Sequence, residues 1–204
     1  MAESAQPARR TAAPGDIVRV VLVGLRCSGK TTVGRLLASR LSWEFLDADE
    51  ELVRREGRSI AEIFREDGEP AFRAIERRVL AELCRRERAV LAAGGGAVLD
   101  PENVRVMRDR ALVVHLDARP EVLWERMRRD PVTGAQRPAL TSSGGLEEMR
   151  TVAAARADLY AAARDVTVDT EALGPEEAAA AILDELARRG VSGEPHSAGP
   201  RRRA

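Results

Sequence analysis

The stretch from Gly24 to Thr31, which has the sequence GLRCSGKT, constrains the fold of this chain more than any other. It follows a β-branched apolar run at 17–23 and precedes an amphipathic segment at 32–41. A glycine, four residues and then Gly-Lys-Thr between a strand and a helix is typical of a P-loop, in which backbone N–H groups and a helix N-terminus face phosphate. The alternative is a glycine turn with a solvated lysine, but Lys30 is the only lysine in the chain. We therefore predict nucleotide binding, with Lys30 at the β- and γ-phosphates and the Thr31 hydroxyl at Mg²⁺.

Five short apolar runs alternate with amphipathic segments along the chain. The predicted strands are 17–23, 43–47, 89–93, 111–116 and 165–169. Six predicted helices span 32–41, 50–56, 69–86, 119–129, 146–163 and 175–189. Two further short helices are predicted, one that begins after an N-cap at Ser59 and one after Pro101. Alternation of this kind predicts β-α-β crossovers, a five-stranded parallel sheet with helices on both faces, and a ligand site at the carboxyl ends of the strands.

The overall composition limits the possible partners and compartments. With 204 residues and a net charge of zero, the chain predicts one domain and offers no basic surface for nucleic acid. No apolar run approaches the roughly 20 residues of a membrane span, so no membrane partner is expected. Two cysteines, Cys27 and Cys84, make no disulfide framework, which predicts a reducing cytoplasm. We expect disordered tails at 1–15 and 191–204, a domain at 16–190, and a monomer.

Two acidic residues lie at the end of the second predicted strand. Asp47 and Asp49 are two positions apart, so on a strand both carboxylates would project to one side, into the cleft beside the phosphate loop. The alternative for Asp49 is a helix N-cap. Phosphate transfer with Mg²⁺ needs an acid near the metal and one near the acceptor hydroxyl, which favours the cleft.

Other candidate groups carry weaker signals. The glycines at 94–96 predict either close approach of backbone to a ligand or a flexible turn. Arg73, with Glu76 three positions on, taken alone indicates a solvated salt-bridged helix face. The segment 130–145 is rich in Pro, Gly, Ser and Thr, and predicts a mobile lid that carries Arg137 over the phosphates. Arg156 has no local signal.

From residue 24 to about residue 175 the chain resembles the shikimate kinase family, within the P-loop nucleoside-monophosphate-kinase-like superfamily. The motifs that carry the resemblance are GLRCSGKTT at 24–32, FLDAD at 45–49, GRSIAEIF at 57–64, GE at 68–69, FR at 72–73 with Glu76, GGGAV at 94–98, RPAL at 137–140, and Arg156 before LY at 159–160. The resemblance implies a three-layer α/β/α P-loop kinase fold with a mobile lid. It also implies transfer of the ATP γ-phosphate to the 3-hydroxyl of shikimate, in aromatic amino-acid biosynthesis.

The same resemblance implies roles for individual residues. In the acceptor site, Asp49 would hold the hydroxyl and act as base, Arg73 and Arg156 would clamp the carboxylate, and backbone at Gly94, Gly95 and Gly96 would bind a ring hydroxyl. Lys30 and the lid residue Arg137 would stabilise the transferring phosphoryl group, and Thr31 and Asp47 would serve Mg²⁺. The residues implied for ATP are Cys27, Ser28, Gly29, Lys30, Thr31, Thr32, Arg137 and Pro175.

The chain departs from the family pattern at two points and leaves rival functions open. Members commonly have glycine where this chain has Cys27, a thiol that we expect to be reactive beside Lys30. The arginine that flanks adenine stays open between Arg128 and Arg129. Rival functions are a gluconate or nucleoside-monophosphate kinase, or a non-catalytic nucleotide-binding homologue.

Overall fold

Five parallel strands form a sheet at the centre of the fold. They are β1 (Arg19–Val23), β2 (Glu44–Asp47), β3 (Ala89–Ala92), β4 (Ala111–Asp117) and β5 (Val166–Asp169). Their spatial order is β2-β3-β1-β4-β5, and every neighbouring pair is parallel. The computed structural model describes residues 16–129 and 144–191. The predicted parallel sheet is therefore confirmed, and β1 lies at its centre.

Helices connect the strands and cover both faces of the sheet. They are α1 (Lys30–Leu41), α2 (Ala48–Glu56), α3 (Ile60–Glu66), α4 (Gly68–Leu83), α5 (Pro101–Arg108), α6 (Pro120–Arg129), α7 (Gly145–Ala163) and α8 (Pro175–Arg188), with a 3₁₀ turn at Ala97–Leu99. Local chemistry sets several of these ends. Gly57 ends α2 in a left-handed conformation. Ser59 and Glu62 form the predicted capping box at the start of α3.

Two apolar cores lie on opposite faces of the sheet, because successive strand residues point to opposite sides. On one face, Val21 packs with residues from α2 to α7. On the other face, Val20 and Leu22 pack with apolar residues of α1 and α8. The three-layer α/β/α arrangement is thereby confirmed, and its central strand is buried along its whole length.

Some predicted boundaries differ from those observed. Helix α2 begins at Ala48, directly after β2, so Asp49 lies in the first turn of the helix and not on a strand. Helix α4 ends at Leu83, short of the predicted residue 86. The predicted tails at 1–15 and 191–204 lie outside the described residues except for residue 191. The predicted lid at 130–145, with Arg137, also lies outside them except for residues 144 and 145, and Gly145 begins α7. Every helix in the described part of the chain is too short or too polar to span a bilayer.

Candidate active site

The loop between β1 and α1 has the backbone of a phosphate cradle. Gly24 has φ 146°, and a Cβ there would lie 2.4 Å from the Leu116 carbonyl oxygen, so only glycine fits. Gly29 precedes α1 in a left-handed conformation and supplies no side-chain cap. The helix therefore presents its first N–H groups to the cleft. Lys30 folds back over the loop, where Nζ donates to the carbonyls of Gly24 (3.0 Å) and Leu25 (2.7 Å).

Cys27 occupies a left-handed position in this loop. Its φ is 62°, a conformation that glycine adopts more easily than a residue with a Cβ. The residue is partly exposed, lines the cleft and forms no disulfide. This geometry explains in physical terms why glycine suits the position, and it shows that the loop accepts a Cβ there.

Asp47 joins the phosphate loop to the end of β2. The Thr31 hydroxyl donates to Asp47 Oδ2 over 3.0 Å. Asp47 Oδ1 accepts from the backbone N–H groups of Asp49 (3.0 Å) and Glu50 (3.4 Å), which makes Asp47 the N-cap of α2. The prediction that Asp47 and Asp49 share one side of a strand is wrong, because the helix already begins at Ala48. Both residues nevertheless line the same cleft.

The glycine turn after β3 gathers residues that lie far apart in sequence. The Gly95 carbonyl accepts from Arg156 Nη1 (2.9 Å) and from the Tyr160 hydroxyl (2.7 Å), both on α7. A Cβ on Gly96 would lie 2.5 Å from Arg73 Nη1, so the guanidinium needs a glycine there. The Gly94 carbonyl accepts from the Ala97 N–H at 3.0 Å and begins the 3₁₀ turn. The structure thus brings Arg73 and Arg156 to one turn.

Arg73 is not part of a solvated helix face. Its Nη1 donates to Glu76 Oε2 over 2.8 Å, and only 4% of the Glu76 side chain is exposed. Its Nη2 donates to Glu69, whose side chain is 58% exposed. The sequence alone favoured the solvated interpretation, which is wrong because α4 turns Glu76 into the core. The two acids fix the direction of the guanidinium.

A cleft of about 950 Å³ lies along the phosphate loop at the carboxyl ends of the strands. The predicted site residues that line it are Cys27, Ser28, Gly29, Lys30, Thr31, Thr32, Asp47, Asp49, Gly95 and Pro175. Arg73 and Arg156 are not among its lining residues, although they contact the turn that contains Gly95. Arg137 lies outside the described residues.

Several other residues line the cleft that were not predicted as site residues, among them Arg26, Arg126 and Thr170. Arg126 Nη1 donates to Thr170 Oγ1 (3.2 Å) and to the Cys27 carbonyl (3.4 Å), so it joins α6 to the phosphate loop. Arg128 instead pairs with Glu125 at 3.4 Å and is exposed, and neither it nor Arg129 lines the cleft. The available signal was helical periodicity, because Arg126 lies three positions after the buried Leu123.

A buried imidazole lies behind the glycine turn. His115 of β4 stacks on Tyr160 with ring centroids 4.5 Å apart. Burial lowers the pKa of His115 to about 4, an effect that Asp117 partly opposes. His115 is therefore neutral near pH 7, and an uncharged ring supports the tyrosine that binds Gly95. No local pattern in the sequence points to this contact.

A family model for shikimate kinase matches residues 26–187. The chain belongs to the shikimate kinase family. The shikimate kinase of Symbiobacterium thermophilum is 41% identical over 176 residues, which cover 86% of this chain and 100% of that protein. The shikimate kinase of Nitratidesulfovibrio vulgaris is 45% identical over 152 residues, which cover 74% of this chain and 86% of that protein. As a member of the family, the chain is an ATP-dependent kinase that acts on shikimate.

Solved structures agree with the family assignment. A shikimate kinase from Acinetobacter baumannii in complex with shikimate superposes with a TM-score of 0.79 at 35% identity, over 86% of this chain and 96% of that chain. A gluconokinase from Sinorhizobium meliloti 1021 is 20% identical with a TM-score of 0.50, over 84% of this chain and 92% of that chain, and so shares the fold alone. The predicted shikimate kinase fold is confirmed.

Proposed function

We propose that this protein transfers the γ-phosphate of ATP to the 3-hydroxyl of shikimate, to give shikimate 3-phosphate and ADP. The observation that carries the proposal is the close approach of the glycine turn to the phosphate loop. A Cβ on Gly95 would lie 3.3 Å from the Gly24 carbonyl oxygen and 3.7 Å from the Arg26 nitrogen. Donor phosphates on the loop and an acceptor on the turn would therefore be neighbours, as phosphoryl transfer requires.

The nucleotide would bind along the cleft from the loop towards the start of α8. Backbone from Cys27 to Thr32 would receive the phosphates, and Lys30 would exchange its two carbonyl contacts for phosphate oxygens. Arg126, Thr170 and Pro175 also line the cleft, and the base and ribose would lie beside them. Arg126 replaces Arg128 and Arg129 as the candidate to flank adenine.

Mg²⁺ would be held at Thr31 and Asp47. Their oxygens are hard ligands, and they already lie 3.0 Å apart. Within the described residues no group of three or more acidic, histidine or cysteine side chains could hold a metal. Such a sparse donor set fits Mg²⁺, which keeps several waters and takes its other ligands from substrate phosphates. When bound, the ion would neutralise charge on the β- and γ-phosphates.

The acceptor half would use Asp49, Arg73, Arg156 and the glycine turn. Asp49 lines the cleft and would hold the 3-hydroxyl and accept its proton. Arg73 and Arg156, brought together at Gly95 and Gly96, would bind the carboxylate through their planar guanidinium groups. Arg137 would add positive charge at the transferring phosphoryl group. We also propose a cytoplasmic monomer with no nucleic-acid or membrane partner.

A coupled assay of ADP release tests the reaction directly. Shikimate, gluconate, AMP and CMP are offered separately with Mg²⁺ and ATP. We expect turnover with shikimate and background rates with the other three. Turnover with gluconate alone would favour a sugar-acid kinase, whereas nucleotide binding without turnover on any acceptor would favour a non-catalytic homologue.

A further inference from the structure

A buried ion pair joins the phosphate loop to helix α7. Glu148, in the first turn of α7, has only 2% of its side chain exposed, and its Oε1 accepts a hydrogen bond from Arg26 Nη2. The Arg26 side chain is 18% exposed and lines the cleft. The two residues are 122 positions apart, so the fold has to bring them together.

Arg26 also meets α7 by a second route. Its backbone nitrogen lies near the glycine turn, since a Cβ added to Gly95 would be 3.7 Å from it. The Gly95 carbonyl is bound by Arg156 and Tyr160 of α7. Arg26 is therefore tied to α7 by the hydrogen bond from its side chain to Glu148, and its backbone lies near Gly95, which α7 also binds.

Stability alone does not explain why a carboxylate is buried here. Burying an ion is energetically unfavourable, and a buried pair is often no more stabilising than apolar residues of the same volume. The next acid along, Glu147, is 66% exposed and lies 3.6 Å from Arg150, as helix-surface acids usually do. Glu148 instead orients Arg26, because its buried carboxylate fixes the position of the Arg26 guanidinium.

We propose that Glu148 is a positioning residue that holds Arg26 against α7. It thereby couples the phosphate loop to Arg156, which would bind the carboxylate of shikimate. Nucleotide on the loop fixes Arg26, Arg26 fixes α7 through Glu148 and Gly95, and Arg156 is thereby oriented before the acceptor arrives. Coupling of this kind is reciprocal, so shikimate tightens nucleotide binding by the same factor. The inference rests on the proposed function, since it takes shikimate as the second ligand.

The test measures that coupling factor by calorimetry. The dissociation constant of shikimate is measured with and without Mg²⁺ and ADP, and that of ADP with and without shikimate. ADP is used because it has no γ-phosphate to transfer. In the wild type we expect each ligand to tighten the other by about 5-fold or more, within the usual range of such coupling. Glu148→Gln should bring the factor close to one and leave ADP binding in the absence of shikimate within about 2-fold of the wild type.

Glu147→Gln is the matched control, since it removes a charge one position away on the exposed surface and should keep the wild-type factor. The double variant Arg26→Gln with Glu148→Gln leaves no unpaired buried charge, and should lose coupling to the same extent even if Glu148→Gln folds poorly. Thermal unfolding of each variant distinguishes a positioning role from a merely structural one. A structural residue would lower Tm when replaced and leave the coupling factor unchanged.

The possible failures of this proposal and of the proposed function are distinguishable. A wild type that phosphorylates shikimate but shows no coupling overturns the role of Glu148 alone. Wild-type coupling that survives in both the single and the double variant also overturns it. A wild type that binds no shikimate overturns the proposed function and this inference together.

Discussion

The Thr31 hydroxyl donates a 3.0 Å hydrogen bond to one oxygen of Asp47, while the other oxygen of that carboxylate caps helix α2. One side chain therefore serves both the phosphate loop and the start of the helix that carries Asp49. Because asparagine caps helices as well as aspartate but carries no charge, substitutions at this position separate the two roles.

Asp47→Asn should keep the cap and weaken the metal site. We expect its free energy of unfolding to stay within a few tenths of a kcal/mol of the wild type, whereas Asp47→Ala should lose about 1 kcal/mol. Both variants should raise the Mg²⁺ concentration for half-maximal activity by about 10-fold. Urea unfolding and Mg²⁺ titrations of the ADP-release rate check these values. An unchanged Mg²⁺ requirement in Asp47→Asn would remove Asp47 from the metal site.

Asp49→Asn should abolish turnover without preventing nucleotide binding. The amide keeps the size of the side chain but accepts no proton, so kcat should fall about 10²- to 10⁴-fold. The adjacent Glu50→Gln is the matched control, because Glu50 lines the same cleft but is an exposed acid that pairs with Arg35 at 3.1 Å. ADP release and calorimetric ADP binding are measured on both variants. Activity in Asp49→Asn equal to that of the control would reject its role as base.

Arg73 is hydrogen-bonded to one buried acid and one exposed acid, and removing each in turn shows which of them orients it. Glu76→Ala leaves a guanidinium without its buried acid and should cost about 3 kcal/mol of unfolding free energy. It should also raise the KM for shikimate more than the KM for ATP, since Arg73 loses its orientation. Glu69→Ala removes an exposed partner and should cost less than about 1 kcal/mol. Equal losses in the two variants would show that Glu76 does not hold Arg73.

The sheet and the phosphate loop could be predicted from the sequence because local patterns specify them. The strand runs, the loop glycines and the Ser59–Glu62 capping box depend on neighbours within a few residues. The pair of Arg26 and Glu148 and the stack of His115 on Tyr160 could not be predicted, since tertiary packing alone brings these residues together. Arg73 was misjudged for the same reason, because the burial of Glu76 depends on what packs over α4.

His115 should make stability depend on pH. Burial lowers the pKa of His115 to about 4, while the unfolded chain titrates near 6.5. Between these values the unfolded state binds a proton that the folded state does not, so stability falls as pH falls below 6.5. The loss by pH 5 should be about 2 kcal/mol. His115→Phe keeps an aromatic ring against Tyr160 and should remove the fall in unfolding free energy that His115 causes.

Urea unfolding of the wild type and His115→Phe at pH 7 and pH 5 checks this expectation. The carboxylates titrate alike in both proteins, so the difference between their pH effects isolates His115. Identical pH dependence in the two proteins would show that His115 does not titrate on unfolding.

Alkylation of Cys27 should inactivate the protein, and bound nucleotide should protect it. Cys27 lines the cleft at the N-terminus of α1, where an added group would block the phosphates. Cys84 is an internal control, because burial raises the pKa of its thiol to about 11 and keeps it unreactive. The protein is labelled with N-ethylmaleimide, the extent of modification is measured by mass spectrometry, and activity is measured by ADP release. Full modification of Cys27 with unchanged activity would contradict it.

Replacement of Cys27 separates the thiol from the backbone conformation. Cys27→Gly and Cys27→Ala should both resist alkylation, since neither carries sulfur. They should differ in stability, because φ at this position is 62° and a Cβ in the left-handed region costs about 1 kcal/mol that glycine avoids. The greater freedom of glycine in the unfolded chain opposes this gain. We therefore expect Cys27→Gly to equal or exceed Cys27→Ala in urea unfolding, and a clearly less stable glycine variant would show that the loop is not strained at Cys27.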